Sequence, residues 1–171
     1  MATFGLSLAV LLASWVTVPT EEIRYPYLAK TINQMAAEDQ ELRNALISGE
    51  SGAMPSQEQL RRLMDLDRNN TARMKELVTK FGWPTPDMIG KEAASNAWRL
   101  VQHADQDPAF QKECLRLMEP LLKSGQVSTR NYAYLFDRVR VNARQPQRYG
   151  TQGKMEKGLI FLQPVEDPRK L

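Results

Sequence analysis

The sequence predicts an all-α protein, a compact bundle of about five helices with a small β-hairpin near its C-terminus. Three observations lead there. Apolar residues recur every three or four positions in five separate runs, the period of a helix that turns one face to a core. Capping residues stand at the heads of several runs, and glycine or proline closes them. After the last helical run, one short stretch, Leu159 to Leu162, is apolar and β-prone throughout.

The first run spans about Tyr27 to Ile47 and carries Leu28, Ile32, Met35, Ala36, Leu42 and Leu46 on one face; a loop through Ser48, Gly49, Ser51, Gly52 and Pro55 follows. Ser56 and Gln59 form a capping-box pair that opens the second helix. There Leu60, Leu63, Met64, Met74, Leu77, Val78 and Phe81 keep helical spacing until Gly82, Pro84 and Pro86. The third helix covers about Gly90 to Ala104 and buries Ala94, Ala97, Trp98 and Val101. Asp107 before Pro108 reads as an N-cap with proline in the first turn, and Pro120 kinks or shortens the helix that follows before Gly125. Ser128 caps a fifth helix that runs to about Asn142, with Tyr132, Leu135, Phe136 and Val139 inward. A Gln-rich loop, Ala143 to Gly153, then leads to the β-prone run, which is expected to pair with Tyr149 to Gln152 and to turn near Glu156 to Gly158.

With 171 residues, 42% hydrophobic and 25% charged, the chain fits a single core, assigned to residues 21–171. The first eighteen residues hold no charge and give way abruptly to Pro19, Thr20, Glu21 and Glu22. Residues 1–20 therefore read as an export signal or an uncleaved N-terminal anchor. Either makes the protein periplasmic or secreted and confines membrane contact to that segment; the alternative is a buried N-terminal helix in a cytoplasmic protein. A net charge of +3 without a basic block argues against nucleic acid as a partner. Cys114, the single cysteine, allows no internal disulfide and sits in an apolar helical run, where it reads as a buried thiol. His103 is the single histidine, so a zinc site is not expected and no metal or cofactor is assigned, a carboxylate-bound Mg²⁺ or Ca²⁺ alone being left open. Neither GxGxxG, a P-loop nor GxSxG is present.

The chemistry is suggested by polar residues that fall inside the apolar arcs when each helix is wound at about 100° per residue. Asp39 lies between Met35, Leu42 and Leu46, with Arg43 one turn on. Asp67, Asn70 and Thr71 occupy the stripe of the second helix. Gln102, His103 and Asp105 stand at the end of the third, Asp105 within its inner arc if the helix persists that far and His103 toward the opposite edge, nearer Asn96 and Leu100. Asp137 and Arg138 flank the stripe of the fifth. Burying unpaired charge is costly, so such groups must pair or line a wet hollow, and bundles place their ligands in such hollows. Each also has a plain structural reading. Asp39 with Arg43 is an ordinary intrahelical pair, Asp67 with Asn70 and Thr71 a network that fixes helix register, His103 a packed or capping side chain, and Trp83 and Trp98 core.

The order of motifs resembles a known family. Glu38-Asp39-Gln40 with Arg43, Asp67-Arg68-Asn69-Asn70, Phe81-Gly82-Trp83-Pro84, Gln102-His103-Ala104-Asp105, Asp137-Arg138 and Gln147-Arg148-Tyr149-Gly150-Thr151-Gln152 are similar to segments of the bacterial domain-of-unknown-function family 6624. The likeness covers about Met35 to Pro168. It implies that these residues occupy motif positions, and it brings no reaction with it. Members that the chain resembles continue past the equivalent of Val165 to Pro168 into an arginine-containing helical tail.

These residues support an enzyme of hydrolase or lyase type acting on a small polar or peptide substrate. His103 is the expected general base or acid, because it titrates near neutral pH, and Asp105 or Asp67 orients it. Arg138 or Arg43 holds a substrate carboxylate or phosphate. Asp39, Asn70, Gln102 and Asp137 complete the substrate side, with Tyr149 and Gln152 on a loop that covers the site. The alternative is a non-catalytic binding or protein-interaction module of the cell envelope, in which the same groups form a rigid network and the Gln-rich loop meets a partner.

Overall fold

The computed structural model describes residues 23–47, 54–156, 158–167 and 169. Among them the chain forms α1 (Pro26–Ile47), α2 (Gln57–Phe81), α3 (Pro86–Gln102), α4 (Pro108–Met118) and α5 (Thr129–Asn142), followed by the antiparallel strands β1 (Gly153–Glu156) and β2 (Leu159–Leu162). This is the helical bundle with a terminal hairpin that the sequence predicts. The export-signal expectation falls on residues 1–20, outside the described residues. No described helix is long and apolar enough to cross a membrane.

Helix α1 packs chiefly on α3. Three tethers join them in step: Tyr25 N donates to Met88 O at 2.9 Å, Asn96 Nδ2 to Asn33 Oδ1 at 3.0 Å, and His103 Nδ1 meets Asp39 at 3.1 Å. The two helices therefore run in the same direction, and α2 carries the chain back between them. Ile32, Met74, Ile89, Leu100, Met118 and Leu135 are fully buried at the centre.

The capping box holds as read: Gln59 N donates to Ser56 Oγ at 3.2 Å while Gln59 Oε1 accepts from Ser56 N at 2.7 Å. Only the second half of α2 reaches the core, through Asn70, Thr71, Met74, Leu77 and Val78. Leu60 and Met64, expected inside, are 45% and 51% exposed, because the first half of α2 runs beyond the core and borders a surface hollow with Glu38, Leu42, Leu66 and Asn69.

Helix α3 departs from the expected Gly90 to Ala104 at both ends. It opens at Pro86, and Gly90 interrupts it at φ 80, ψ 159, a left-handed conformation that suits glycine. It closes at Gln102, with His103 as its C-cap at φ −82, ψ −3 and the His103 N–H still donating to Arg99 O. Asp105 thus lies beyond the helix and off its inner arc. Helix α4 stops at Met118 and tightens into a 3₁₀ turn, Glu119–Leu121, since Pro120 has no N–H to continue the ladder.

The hairpin pairs Gly153 with Leu162 and Glu156 with Leu159, so β1 lies one segment later than the expected Tyr149 to Gln152. The reason is local. The amides of Tyr149 and Thr151 are taken by the Asp137 carboxylate, and that of Gln152 by Gln147 Oε1. Trp83 is core, and half-buried Trp98 donates Nε1–H to Asn131 O at 2.8 Å. Cys114 is fully buried, and burial pushes its thiol well above the usual range, which makes it inert.

Candidate functional site

Asp39, on the buried face of α1, has no exposed surface. Gln40 Nε2 donates to its Oδ2 at 2.7 Å, and Arg43 Nε, one turn on, donates to Oδ1 at 3.0 Å. From the end of α3, His103 Nδ1 approaches Oδ1 at 3.2 Å and Oδ2 at 3.1 Å. Arg43 reaches across with Nη2 to Asp67 Oδ1 on α2, and Thr71 Oγ1 donates to the Asp67 carbonyl at 2.7 Å. Asn70, buried beside them in sequence, has an Nδ2 with no partner. Three helices thus bring Asp39, Arg43, Asp67 and His103 together.

The two carboxylates differ. Burial works to raise Asp39, but the hydrogen bond and charge of His103, with Gln40 and Arg43, outweigh it and hold the carboxyl below its ordinary value. Burial also raises Asp67, and there the charge and hydrogen bond of Arg43 only partly offset it, so its carboxyl stays above the ordinary value. An ionised carboxylate only accepts hydrogen bonds, so Asp39 assigns the proton of the neutral imidazole to Nδ1 and leaves a lone pair on Nε2. Among the described residues Nε2 has no protein partner, and it is not one of the buried atoms lacking one. It faces solvent.

One ligand atom from each of Asp39, Asp67 and His103 lies within 4.8 Å of the other two, a set of a kind that holds divalent cations. The sequence reading assigned no metal. Here the Arg43 guanidinium already bridges the two carboxylates.

Other residues predicted for the site go elsewhere. Asp105 was expected to orient His103; instead Arg138 grips it with Nε to Oδ1 at 2.8 Å and Nη2 to Oδ2 at 2.5 Å. Asn142 and Gln111 donate to the same carboxylate at 2.9 and 3.3 Å. With α3 ended at Gln102, the chain swings Asp105 toward α5. Burial raises the Asp105 carboxyl, yet these partners, Arg138 foremost, bring it below its ordinary value. Arg138 is thereby committed within the protein, as Arg43 is. Gln102 contributes its carbonyl, which accepts from Gln111 Nε2 at 3.3 Å.

Asp137 is fully buried and accepts from Arg148 N at 2.7 Å, Tyr149 N at 3.1 Å, Thr151 N at 3.0 Å and Thr151 Oγ1 at 3.0 Å. Tyr149 sets its ring edge against Phe136, 5.5 Å between centroids, and Gln152 Nε2 donates to Tyr134 O at 3.3 Å. The loop expected to cover His103 is therefore fastened to α5 and bonds to no member of the His103 group. Buried Gln147 closes its base, donating to Gln152 O at 2.9 Å and Gln163 O at 2.8 Å.

Sequence reasoning gave no individual role to Gln40, Gln111, Gln147 or Arg99. Gln40 and Gln147 appeared only in the motif resemblance. Gln111 gave no signal, being one glutamine in an amphipathic run. Arg99 had one, its spacing of one turn from His103.

No curated protein and no solved structure matches the chain. A family model matches residues 26–171, all five helices and the hairpin, and so spans both the His103 group and the Asp137 loop. The chain accordingly belongs to the family of unknown function DUF6624.

Proposed function

We propose that the protein is an enzyme of hydrolase or lyase type that acts on a small polar or peptide substrate, with His103 as general base and acid. The observation that carries this reading is the pairing of a buried, low-pKa Asp39 with His103 Nδ1, which leaves Nε2 open. A carboxylate behind an imidazole fixes its tautomer and orientation and steadies the imidazolium formed when Nε2 takes a proton from water or substrate. Nε2 then returns that proton to the leaving group. Asp39 has the orienting role that the sequence reading gave to Asp105 or Asp67. The uncharged first eighteen residues support a periplasmic or secreted setting.

The test is turnover on a broad panel of hydrolase and lyase substrates by the wild type, His103→Ala and Asp39→Asn. Loss of a general base lowers the rate by about 10²- to 10⁴-fold, and both variants are expected in that range. Turnover indifferent to both changes would rule the reading out.

A second reading, the non-catalytic interaction module, draws on the hairpin, where Met155, Leu159, Ile160, Phe161 and Leu162 are all more than half exposed. Partner binding that survives His103→Ala but is lost in a hairpin variant favours it.

A further inference from the structure

We infer that Arg99 is the anchor for an anionic group of the ligand, a carboxylate or a phosphate, held one helical turn from His103. This rests on the reading of His103 as the reacting group and adds the substrate class.

Among the described residues, four arginines are half-buried: Arg43, Arg99, Arg138 and Arg140. Three are neutralised by carboxylates, Arg43 by Asp39 and Asp67, Arg138 by Asp105, and Arg140 by Glu166. Arg99 is the exception. A single one of its N–H groups is used, Nη1 donating to the neutral amide oxygen of Asn96 at 3.1 Å. That amide is itself tied to α1 through Asn33, 3.0 Å away. A partly desolvated guanidinium with no counter-charge keeps its planar fork for an external oxyanion, which it binds through paired hydrogen bonds.

The placement suits the chemistry. Arg99 lies on α3 between the two tethers to α1, three residues after Asn96 and four before His103. Residues four apart share a helix face and differ by about 6 Å along the axis. His103, the C-cap that follows Gln102, keeps αR backbone angles and so continues the face that carries Arg99. A ligand whose charged group rests on Arg99 therefore presents atoms a few bonds away to Nε2. Half-buried Gln40 on α1 donates to Asp39, the partner of His103, and Asn96 ties the Arg99 turn of α3 to Asn33 of α1. The sequence reading placed the substrate's anion on Arg43 or Arg138, whose forks the protein itself occupies.

His103 is the sole histidine of the chain, so in untagged protein its ring resonances need no assignment. The experiment titrates sodium phosphate, and in a second arm sodium acetate, into the full chain at fixed pH, with chloride holding ionic strength constant. The His103 ring protons are followed by NMR for the wild type, Arg99→Gln, Arg99→Lys and His103→Ala, the last through backbone amides of α3. A saturable shift in one arm names that oxyanion class. Arg99→Gln is expected to weaken it about tenfold, Arg99→Lys less, and His103→Ala little. No saturable shift with either anion, or equal affinity in Arg99→Gln, overturns the inference and leaves Arg99 as a stem over apolar surface whose charge merely offsets the helix end. Because binding is read without turnover, anion binding by a chain inactive on every substrate would sink the catalytic proposal alone.

Discussion

Asp39 and His103 are 64 residues apart in the chain and 3.1 Å apart in space, joining the buried face of α1 to the C-cap of α3. His103, Gln40 and Arg43 overcome burial and hold the Asp39 carboxyl low, so the folded chain binds that proton less tightly than the unfolded one. The resulting stability is complete above the ordinary carboxylate value of 3.8 and is lost as pH falls through the lower folded value. Asp39→Asn is expected to cost about 3 kcal/mol at pH 7. Urea unfolding measures it, and the gap to wild type should close on acidification below pH 3.8.

Asp67 carries the opposite sign. Burial raises its carboxyl and Arg43 offsets this only in part, so its contribution to stability is present below pH 3.8 and is lost as pH rises through the raised folded value. Ionised Asp67 is a net burden at neutral pH. Asp67→Asn should leave stability at pH 7 unchanged or raise it by up to about 1 kcal/mol. A loss as large as that of Asp39→Asn would contradict the assignment.

Asp137→Asn replaces a carboxylate that accepts from three backbone amides and one hydroxyl with a group half of which can only donate. A cost of about 3 kcal/mol is expected. Hydrogen exchange should show the amides of Arg148, Tyr149 and Thr151 losing protection before those of α1 and α3.

Arg138→Gln separates a structural role from a catalytic one. Its partner Asp105 is 40% exposed, so solvent screens the pair and the loss should be about 1 kcal/mol. Turnover that depends on His103 should persist. A fall in rate as deep as that of His103→Ala would return Arg138 to the site.

Gly90→Ala tests the break in α3. An added Cβ would sit 3.4 Å from Ile23 Cδ1, an ordinary contact, so the penalty lies in the backbone at φ 80. Thermal unfolding should report about 1–2 kcal/mol.

The helices were legible because each carries its own period and punctuation. So were Asp39, Arg43 and Asp67, since the polar residues at 39 and 67 interrupt apolar arcs and the pairing of 39 with 43 is local; His103 stood out as the single histidine, but its partner was sought in Asp105 or Asp67 rather than Asp39. Asp105 was misplaced because α3 ends at Gln102 with His103 as its cap, a stop that no glycine or proline marks. Arg99 was overlooked because it lies outside any apolar arc, and its meaning comes from the carboxylates that occupy its three half-buried counterparts. Tyr149 and Gln152 were taken for a cover because their true anchors, Asp137 and Gln147, act through backbone groups that a side-chain pattern does not display.

The Gln147 clasp makes the segment Gln163 to Glu166 a working part of the architecture. Its side chain and backbone together engage Gln163 O, Pro164 O and Glu166 N. A protease nick or stop codon ahead of Gln163 would strand a buried carboxamide and loosen the Asp137 loop from below. Any shortened version should therefore keep every residue through Glu166.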